Sequence, residues 1–197
     1  MGTDRIETIK EYFGATMTAM ICLLRGVNVV GSNQIKMDAL RDLCVSLKLC
    51  RAQTYIQSGN VVFQTGERDH AKLAARIESA IEKNHGFRPA AVFRTAAEMR
   101  EVIARNPFDS RKRIEPGKLI VTFLATEPAA ETQKALLALE PNPEEMHVKG
   151  REIYVYFPDG MGRSKFAGLL ARKLKNTGTA RNWNTVMKLL EMAEKLE

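Results

Sequence analysis

The sequence predicts an α+β fold made of two ferredoxin-like (βαββαβ-type) subdomains, which arose by internal duplication and end in a C-terminal helical tail. Apolar residues mark the order strand, helix, hairpin, helix twice along the chain. A stretch rich in turn-forming residues, containing Arg111-Lys112-Arg113, lies between the two copies. We therefore divide the 197 residues into an N-terminal extension (1–17), a first subdomain (18–106), a linker (107–117) and a second subdomain (118–197).

Apolar periodicity and turn residues define the elements of the first copy. The run from Met20 to Leu24 is typical of a buried strand, and a following stretch carries apolar residues at helical spacing. Ser58-Gly59-Asn60 separates two short strand-like segments, which predicts a hairpin. The predicted elements are strand 20–24, helix 36–48, strands 52–57 and 61–64, helix 73–81 and strand 90–93.

The second copy follows a connecting helix over 97–105 and repeats this order less completely. Its predicted elements are strand 119–124, helix 132–139, strands 146–148 and 153–157, and helix 166–174. The segment 178–185 is polar, holds the single Trp, and is interpreted as a loop that opens the last helix. We therefore expect the second copy to end in a helix rather than in a fourth strand.

The charge of the chain is concentrated near its C-terminus. The formal net charge is +7, and the segment 161–197 holds eight of the thirty Lys and Arg residues against three of the twenty-three Asp and Glu. Such an asymmetry is typical of a surface that binds phosphate-bearing partners, nucleic acid included. A solvated helix surface explains the same charges equally well.

The cysteine count and the apolar runs indicate the compartment. Cys22, Cys44 and Cys50 are odd in number, and the first two lie in apolar patterns, which indicates reduced thiols rather than a disulfide framework. No apolar run has the length that spans a bilayer, and residues 1–17 lack the apolar core of a signal peptide. We expect a cytoplasmic protein with no membrane contact.

Several motifs together resemble an uncharacterised bacterial family known as a domain of unknown function. They are Leu23-Leu24-Arg25-Gly26-Val27-Asn28-Val29-Val30-Gly31, Thr54-Tyr55-Ile56-Gln57-Ser58-Gly59-Asn60-Val61-Val62-Phe63, Asn106-Pro107-Phe108, Arg163-Ser164-Lys165 and Thr179-Ala180-Arg181-Asn182-Trp183-Asn184-Thr185. The resemblance runs from about residue 18 to the C-terminus. It implies two ferredoxin-like subdomains and brings no activity. Val30 replaces the usual Gly of the first motif, which stiffens that loop.

The first candidate site is the segment from Pro158 to Lys165, which follows a predicted strand and opens a predicted helix. Backbone N–H groups at a helix start attract anions, and Arg163 and Lys165 add positive charge. The structural alternative, which we favour, is a turn in which Ser164 caps the helix.

The second candidate site is Arg181, Asn182, Trp183 and Asn184. An exposed Trp beside Arg and Asn is suited to stack a base and bond its edge. The alternative, again favoured, packs Trp183 into the core and leaves Asn184 or Thr185 to cap the last helix.

The third candidate site joins Arg25 and Asn28 to Gln57 and Asn60, because both pairs follow predicted strands. The alternative is that the Asn side chains close turns. At the hairpin we clearly favour this structural alternative over a ligand site. For Arg25 the two interpretations are nearly even, because a turn does not require an Arg.

Two functions of different classes stay open, beside the plainer possibility of a protein-interaction scaffold. The first is a module that binds nucleic acid or another polyphosphate through the basic C-terminal surface. The second is an enzyme that acts on a small anionic or phosphorylated substrate in a cleft between the subdomains, with Arg25, Arg163, Lys165 and Arg181 as its clamp. The cheapest discriminator is geometry, because a closed pocket favours the enzyme and an open basic groove favours nucleic acid. No catalytic residue or cofactor is legible, and His70, His85 and His147 lack metal-ligand spacing to the cysteines.

Overall fold

A computed structural model describes residues 17–29, 31–175 and 177–197. The predicted N-terminal extension, apart from Met17, and the expected effect of Val30 lie outside these residues. The first half contains β1 (Thr18–Leu24), α1 (Met37–Ser46), β2 (Cys50–Tyr55), β3 (Asn60–Thr65), α2 (His70–His85), β4 (Ala91–Thr95) and α3 (Ala96–Ala104). The second contains β5 (Leu119–Phe123), α4 (Ala130–Leu137), β6 (Glu145–Lys149), β7 (Glu152–Tyr156), α5 (Lys165–Lys173), β8 (Thr179–Asn182) and α6 (Trp183–Glu194).

The predicted fold class is confirmed. Each half forms a four-stranded antiparallel sheet, with strand orders β2-β3-β1-β4 and β6-β7-β5-β8. The expectation that the second copy lacks a fourth strand is wrong, because Thr179–Asn182 pairs with β5 as β8. This strand escapes a pattern search because it is short, polar and at the sheet edge, where one partner strand suffices.

The pairing register makes the two halves equivalent residue by residue. Ile21 on β1 pairs with Arg94 on the edge strand β4, and Val121 on β5 pairs with Arg181 on the edge strand β8. In both halves the edge strand runs directly into a helix whose N-cap is its last residue, Thr95 or Asn182. This correspondence supports the internal duplication.

Six α-helices of the described residues cover the two sheets on both faces. Helices α1 and α2 pack on the outer face of the first sheet, and α4 and α5 on the outer face of the second. Helices α3 and α6 lie between the sheets and share one core with the inner faces of both. Tyr154 adds a buried polar link in this core by donating to the Val102 carbonyl at 2.7 Å. No helix within 17–29, 31–175 and 177–197 is long and apolar enough to cross a membrane.

Candidate ligand site at the subdomain junction

Two buried arginines tie the halves together, and the first is Arg94. Its side chain is 1% exposed and reaches from β4 into the second half, where Nε donates to Glu152 at 2.8 Å. Its terminal nitrogens donate to the carbonyls of Leu124 at 2.8 Å and of Phe93 at 2.6 Å. Burial lowers the pKa of Arg94, and the neighbouring Glu152 carboxylate opposes that shift.

Arg181 is the equivalent residue of the second half and reaches into the first. It donates to the side chain of Asn60 and to the carbonyls of Leu24 at 2.8 Å and Ser58 at 2.9 Å. Thr179 Oγ1 and the Ala180 carbonyl, each at 2.8 Å, accept its remaining protons. Every acceptor is neutral, and burial lowers the pKa of Arg181 to about 10. The guanidinium is therefore fully hydrogen-bonded but has no carboxylate partner among the described residues.

Arg25 follows Leu24 at this junction, and none of the described residues binds its guanidinium. Its backbone N–H donates to the carbonyl of Ala90 at 2.9 Å. The preceding residue is Leu24, whose carbonyl accepts from Arg181. Within the described chain, the half-buried side chain of Arg25 makes no hydrogen bond or ion pair. It lines a cavity of about 220 Å³ between α5 and the outer face of the second sheet.

The lining of this cavity is otherwise almost entirely apolar. The large side chains are those of Ile120, Val155, Phe157, Met161, Leu170 and Leu174. The small ones are those of Ala167, Ala171, Gly178 and Ala180. Thr122 supplies a hydroxyl, and Arg25 supplies the single charged group among the described lining residues. The site is thus an apolar space with one cation at its wall.

Comparison of the two halves explains why the second half has a cavity here. Phe93 pairs with Cys22 in the first sheet, and Ala180 pairs with Thr122 at the equivalent place in the second. The Phe93 ring is 5% exposed and fills the outer core of the first half. Ala180 is too small to do the same, so the space beneath α5 stays open.

The Pro158–Lys165 segment adopts the structural alternative. Ser164 caps α5 by accepting from the Ala167 amide at 3.2 Å, and its hydroxyl donates to the buried carboxylate of Glu144. Arg163 and Lys165 are exposed on a neighbouring cleft of about 540 Å³. That cleft is also lined by three acidic residues, Glu140, Glu144 and Asp159. Carboxylates already balance much of the positive charge that would attract an anion here.

The Arg181–Asn184 segment is also largely structural. Asn182 caps α6 by accepting from the Thr185 amide at 2.9 Å, so the expectation that Asn184 or Thr185 caps this helix is wrong. The reason is that β8 extends to Asn182 and the helix begins at the next residue. Trp183 is half-buried against the shared core, and Asn184 is exposed.

The Asn side chains in the two polar loops of the first half form hydrogen bonds to the backbone of the same loops or of residues next to them. Asn28 has a φ of 55° and bonds both the carbonyl and the amide of Ile35, at 3.0 and 2.8 Å. Asn60 is fully buried and donates to Tyr55 at 3.1 Å, besides accepting from Arg181. Gln57 is exposed on the same hairpin. Within this candidate group, the side chains of Arg25 and Gln57 make no hydrogen bond to the described residues.

The structure therefore places Asn60 and Arg181 in direct contact, with Arg25 following the residue whose carbonyl Arg181 binds, whereas Arg163 lines a different cleft. The sequence did not reveal Arg94 or the cavity-lining Ala180. A signal existed for Arg94, because Arg94-Thr95 precedes α3 as Arg181-Asn182 precedes α6. Within the described ranges, no group of three or more His, Cys, Asp or Glu is placed to hold a metal ion.

Comparison with known proteins identifies the family. A family model described as "Protein of unknown function (DUF1697)" matches residues 17–154, and the chain belongs to this family. No curated protein matches the chain. Among solved structures, a conserved bacterial protein from Streptococcus pneumoniae is similar at 24% identity. The match covers 90% of this chain and 99% of that one, with a TM-score of 0.69, and at this identity it supports the fold alone.

Proposed function

We propose that this DUF1697 member binds a small molecule with an apolar body and an anionic group, the apolar part in the 220 Å³ cavity and the anionic group on Arg25. The observation that carries the proposal is a guanidinium on the wall of an otherwise apolar cavity, with no partner among the residues that the structure describes. Ligand sites typically combine an apolar lining with a few polar groups that fix orientation. The volume lies below the range of drug-sized sites, so the ligand is small.

We infer binding rather than a named reaction at this site. The polar side chains of its described lining are those of Arg25 and Thr122. An Arg stays protonated and serves as an anion clamp rather than as a general base. An enzyme acting on the same ligand would need a group from outside this lining.

Titration calorimetry with benzoate tests the proposal, with benzamide as the uncharged ligand of nearly the same shape. Arg25→Gln is expected to weaken benzoate binding at least about tenfold, which is the loss of one charge-assisted hydrogen bond. Ala180→Phe places in the second half the ring that Phe93 supplies in the first, and is expected to abolish binding of both ligands. Arg113→Gln removes an exposed arginine of the linker and is the matched control.

The proposal fails if neither benzoate nor the related probes hexanoate and phenyl phosphate bind the wild-type chain. It also fails if Ala180→Phe binds benzoate as tightly as the wild type does. Thermal midpoints of both variants, compared with that of Arg113→Gln, show whether a loss of binding reflects a loss of folding.

A second candidate function is binding of nucleic acid or another polyphosphate on the basic segment 163–175, which includes α5. Five cations of the C-terminal segment, Arg163, Lys165, Arg172, Lys173 and Lys175, are exposed and have no carboxylate partner in the described part of the chain. Phosphate binding by such a surface weakens steeply with salt. A double Lys173→Gln, Lys175→Gln variant is expected to lower the salt slope of oligonucleotide binding by about 2. An unchanged slope would remove this candidate.

We also propose a cytoplasmic location. The three cysteines are free thiols, two of them buried, as in proteins of reducing compartments. Expression of the full chain with a reporter, followed by fractionation, tests the location directly.

A further inference from the structure

We infer that Asn60 determines the anion affinity of the junction, because an amide at this position leaves the charge of Arg181 without a carboxylate partner. The inference rests on the proposed function and names the residue that tunes it. Asn60 does not touch the ligand in this account, and it acts through the field of Arg181.

The first step is the equivalence of Asn60 and Glu152. Leu23 on β1 pairs with Asn60, and Phe123 at the matching position of β5 pairs with Glu152. Asn60 receives the Nε donor of Arg181, and Glu152 receives the Nε donor of Arg94. The two arginines occupy the same register position, so the two clusters are related by the duplication.

The second step is that two of the remaining contacts of the two clusters match, whereas the bond from Arg181 to the Thr179 hydroxyl has no counterpart at Arg94. Arg94 bonds the carbonyl of Leu124, directly after β5, and Arg181 bonds the carbonyl of Leu24, the last residue of β1, each at 2.8 Å. Each arginine also bonds the carbonyl of the residue before it. The main chemical difference is therefore a carboxylate in one cluster and an amide in the other. Geometry alone does not require the amide, since the first cluster holds a carboxylate.

The third step is the charge that this difference leaves behind. Arg94 is neutralised by Glu152, whereas the five acceptors of Arg181 carry no charge. Cys22 is close enough to interact with Arg181, but burial raises the pKa of its thiol, which is therefore neutral near pH 7. In a partly desolvated site a buried cation acts over a longer range than it does in water.

The fourth step is the position of the unbalanced charge. Arg181 donates to the carbonyl of Leu24, and the next residue of the chain is Arg25. An anion at Arg25 therefore binds one residue along the chain from the carbonyl that Arg181 holds, and neither arginine is paired with a carboxylate within the described residues. The opposite junction, at Arg94, has no such excess because Glu152 is present.

The experiment adds a carboxylate to the Arg181 cluster and measures charged and uncharged probes separately. In Asn60→Asp the affinity for benzoate is expected to fall about tenfold, equivalent to about 1.4 kcal/mol, while the affinity for benzamide stays the same. The ratio of the two affinities is the readout, because damage to the cavity lowers both values together.

A second variant guards against misfolding of the first, since Asn60→Asp also loses the bond from the amide to the Tyr55 carbonyl. Thr179→Asp places a carboxylate on another acceptor of Arg181 and leaves Asn60 intact. It is expected to lower the same ratio. Glu152→Gln, which changes the charge of the other cluster, is the matched control and is expected to leave the ratio close to that of the wild type.

The outcomes separate the two proposals. If the wild-type chain binds no anionic probe, the proposed function fails and takes this inference with it. If the wild type binds benzoate and the folded Asp variants keep the wild-type ratio of benzoate to benzamide affinity, the proposed function stands and this inference is overturned. A parallel loss of both probes in the folded Asp variants also overturns it.

Discussion

Replacing Arg94 by Met tests how much the buried ion pair between the halves stabilises the fold. Arg94 is 1% exposed and Glu152 is 6% exposed, so the substitution strands a carboxylate in the interior. Breaking a buried pair by removing one partner costs about 3–5 kcal/mol. The carbonyls of Leu124 and Phe93 also lose a donor. We therefore expect Arg94→Met to lower the free energy of unfolding by about 3–5 kcal/mol.

Glu152→Gln supplies the internal comparison. It keeps an acceptor for Arg94 and reproduces the neutral arrangement that Asn60 and Arg181 already adopt. Since only the charge of the acceptor is lost, we expect a cost of about 1–2 kcal/mol. Arg100→Met removes an exposed arginine that pairs with Glu194, and it should leave stability nearly unchanged.

Urea unfolding followed by fluorescence and by circular dichroism measures these differences, and coincident curves justify a two-state treatment. The reasoning is refuted if Arg94→Met costs less than about 1 kcal/mol, or if Glu152→Gln costs as much as Arg94→Met.

Three further predictions concern stability. Trp183→Ala should cost about 2–3 kcal/mol in urea unfolding, less than for a fully buried Trp because the ring is half-buried, and should not change oligonucleotide affinity. Gly59→Ala should cost about 2–4 kcal/mol of unfolding free energy, because φ is +69° and the new Cβ would lie 2.8 Å from the Cβ of Leu24. Gly86→Ala has a similar φ of +76° but open space around the new Cβ, and it should cost about 1–2 kcal/mol. Equal costs for the two variants would contradict the steric argument. Burial raises the pKa of the Cys44 thiol to about 12, so its stabilising contribution is present below about pH 8.5 and is lost as the pH rises toward 12. Cys44→Ala should therefore flatten the fall of unfolding free energy at alkaline pH. An unchanged slope in that pH range would count against this reasoning.

The sequence by itself determined the secondary-structure order of most of the chain. Strands β1 and β5 are continuous apolar runs because they are central strands covered on both faces, and such runs are legible without coordinates. The amphipathic helices α1 and α5 could also be predicted, because each buries one apolar stripe against a sheet and so repeats apolar residues at helical spacing. The duplication followed from the repeated order, and the family motifs pointed to the same fold.

Tertiary structure alone decided what the polar residues do. Strand β8 carries too few apolar residues to show a period, and it forms because β5 offers it a partner. The roles of Arg94 and Arg181 depend on the pairing register. It brings Arg94 to an acceptor 58 positions away in sequence, and Arg181 to one 121 positions away. The cavity exists because Ala180 stands where the other half has Phe93, and a difference in volume between equivalent positions becomes visible only when the two sheets are aligned. Local patterns report which faces are apolar, whereas a site depends on contacts between residues far apart in sequence, and these contacts are set by how the two halves pack.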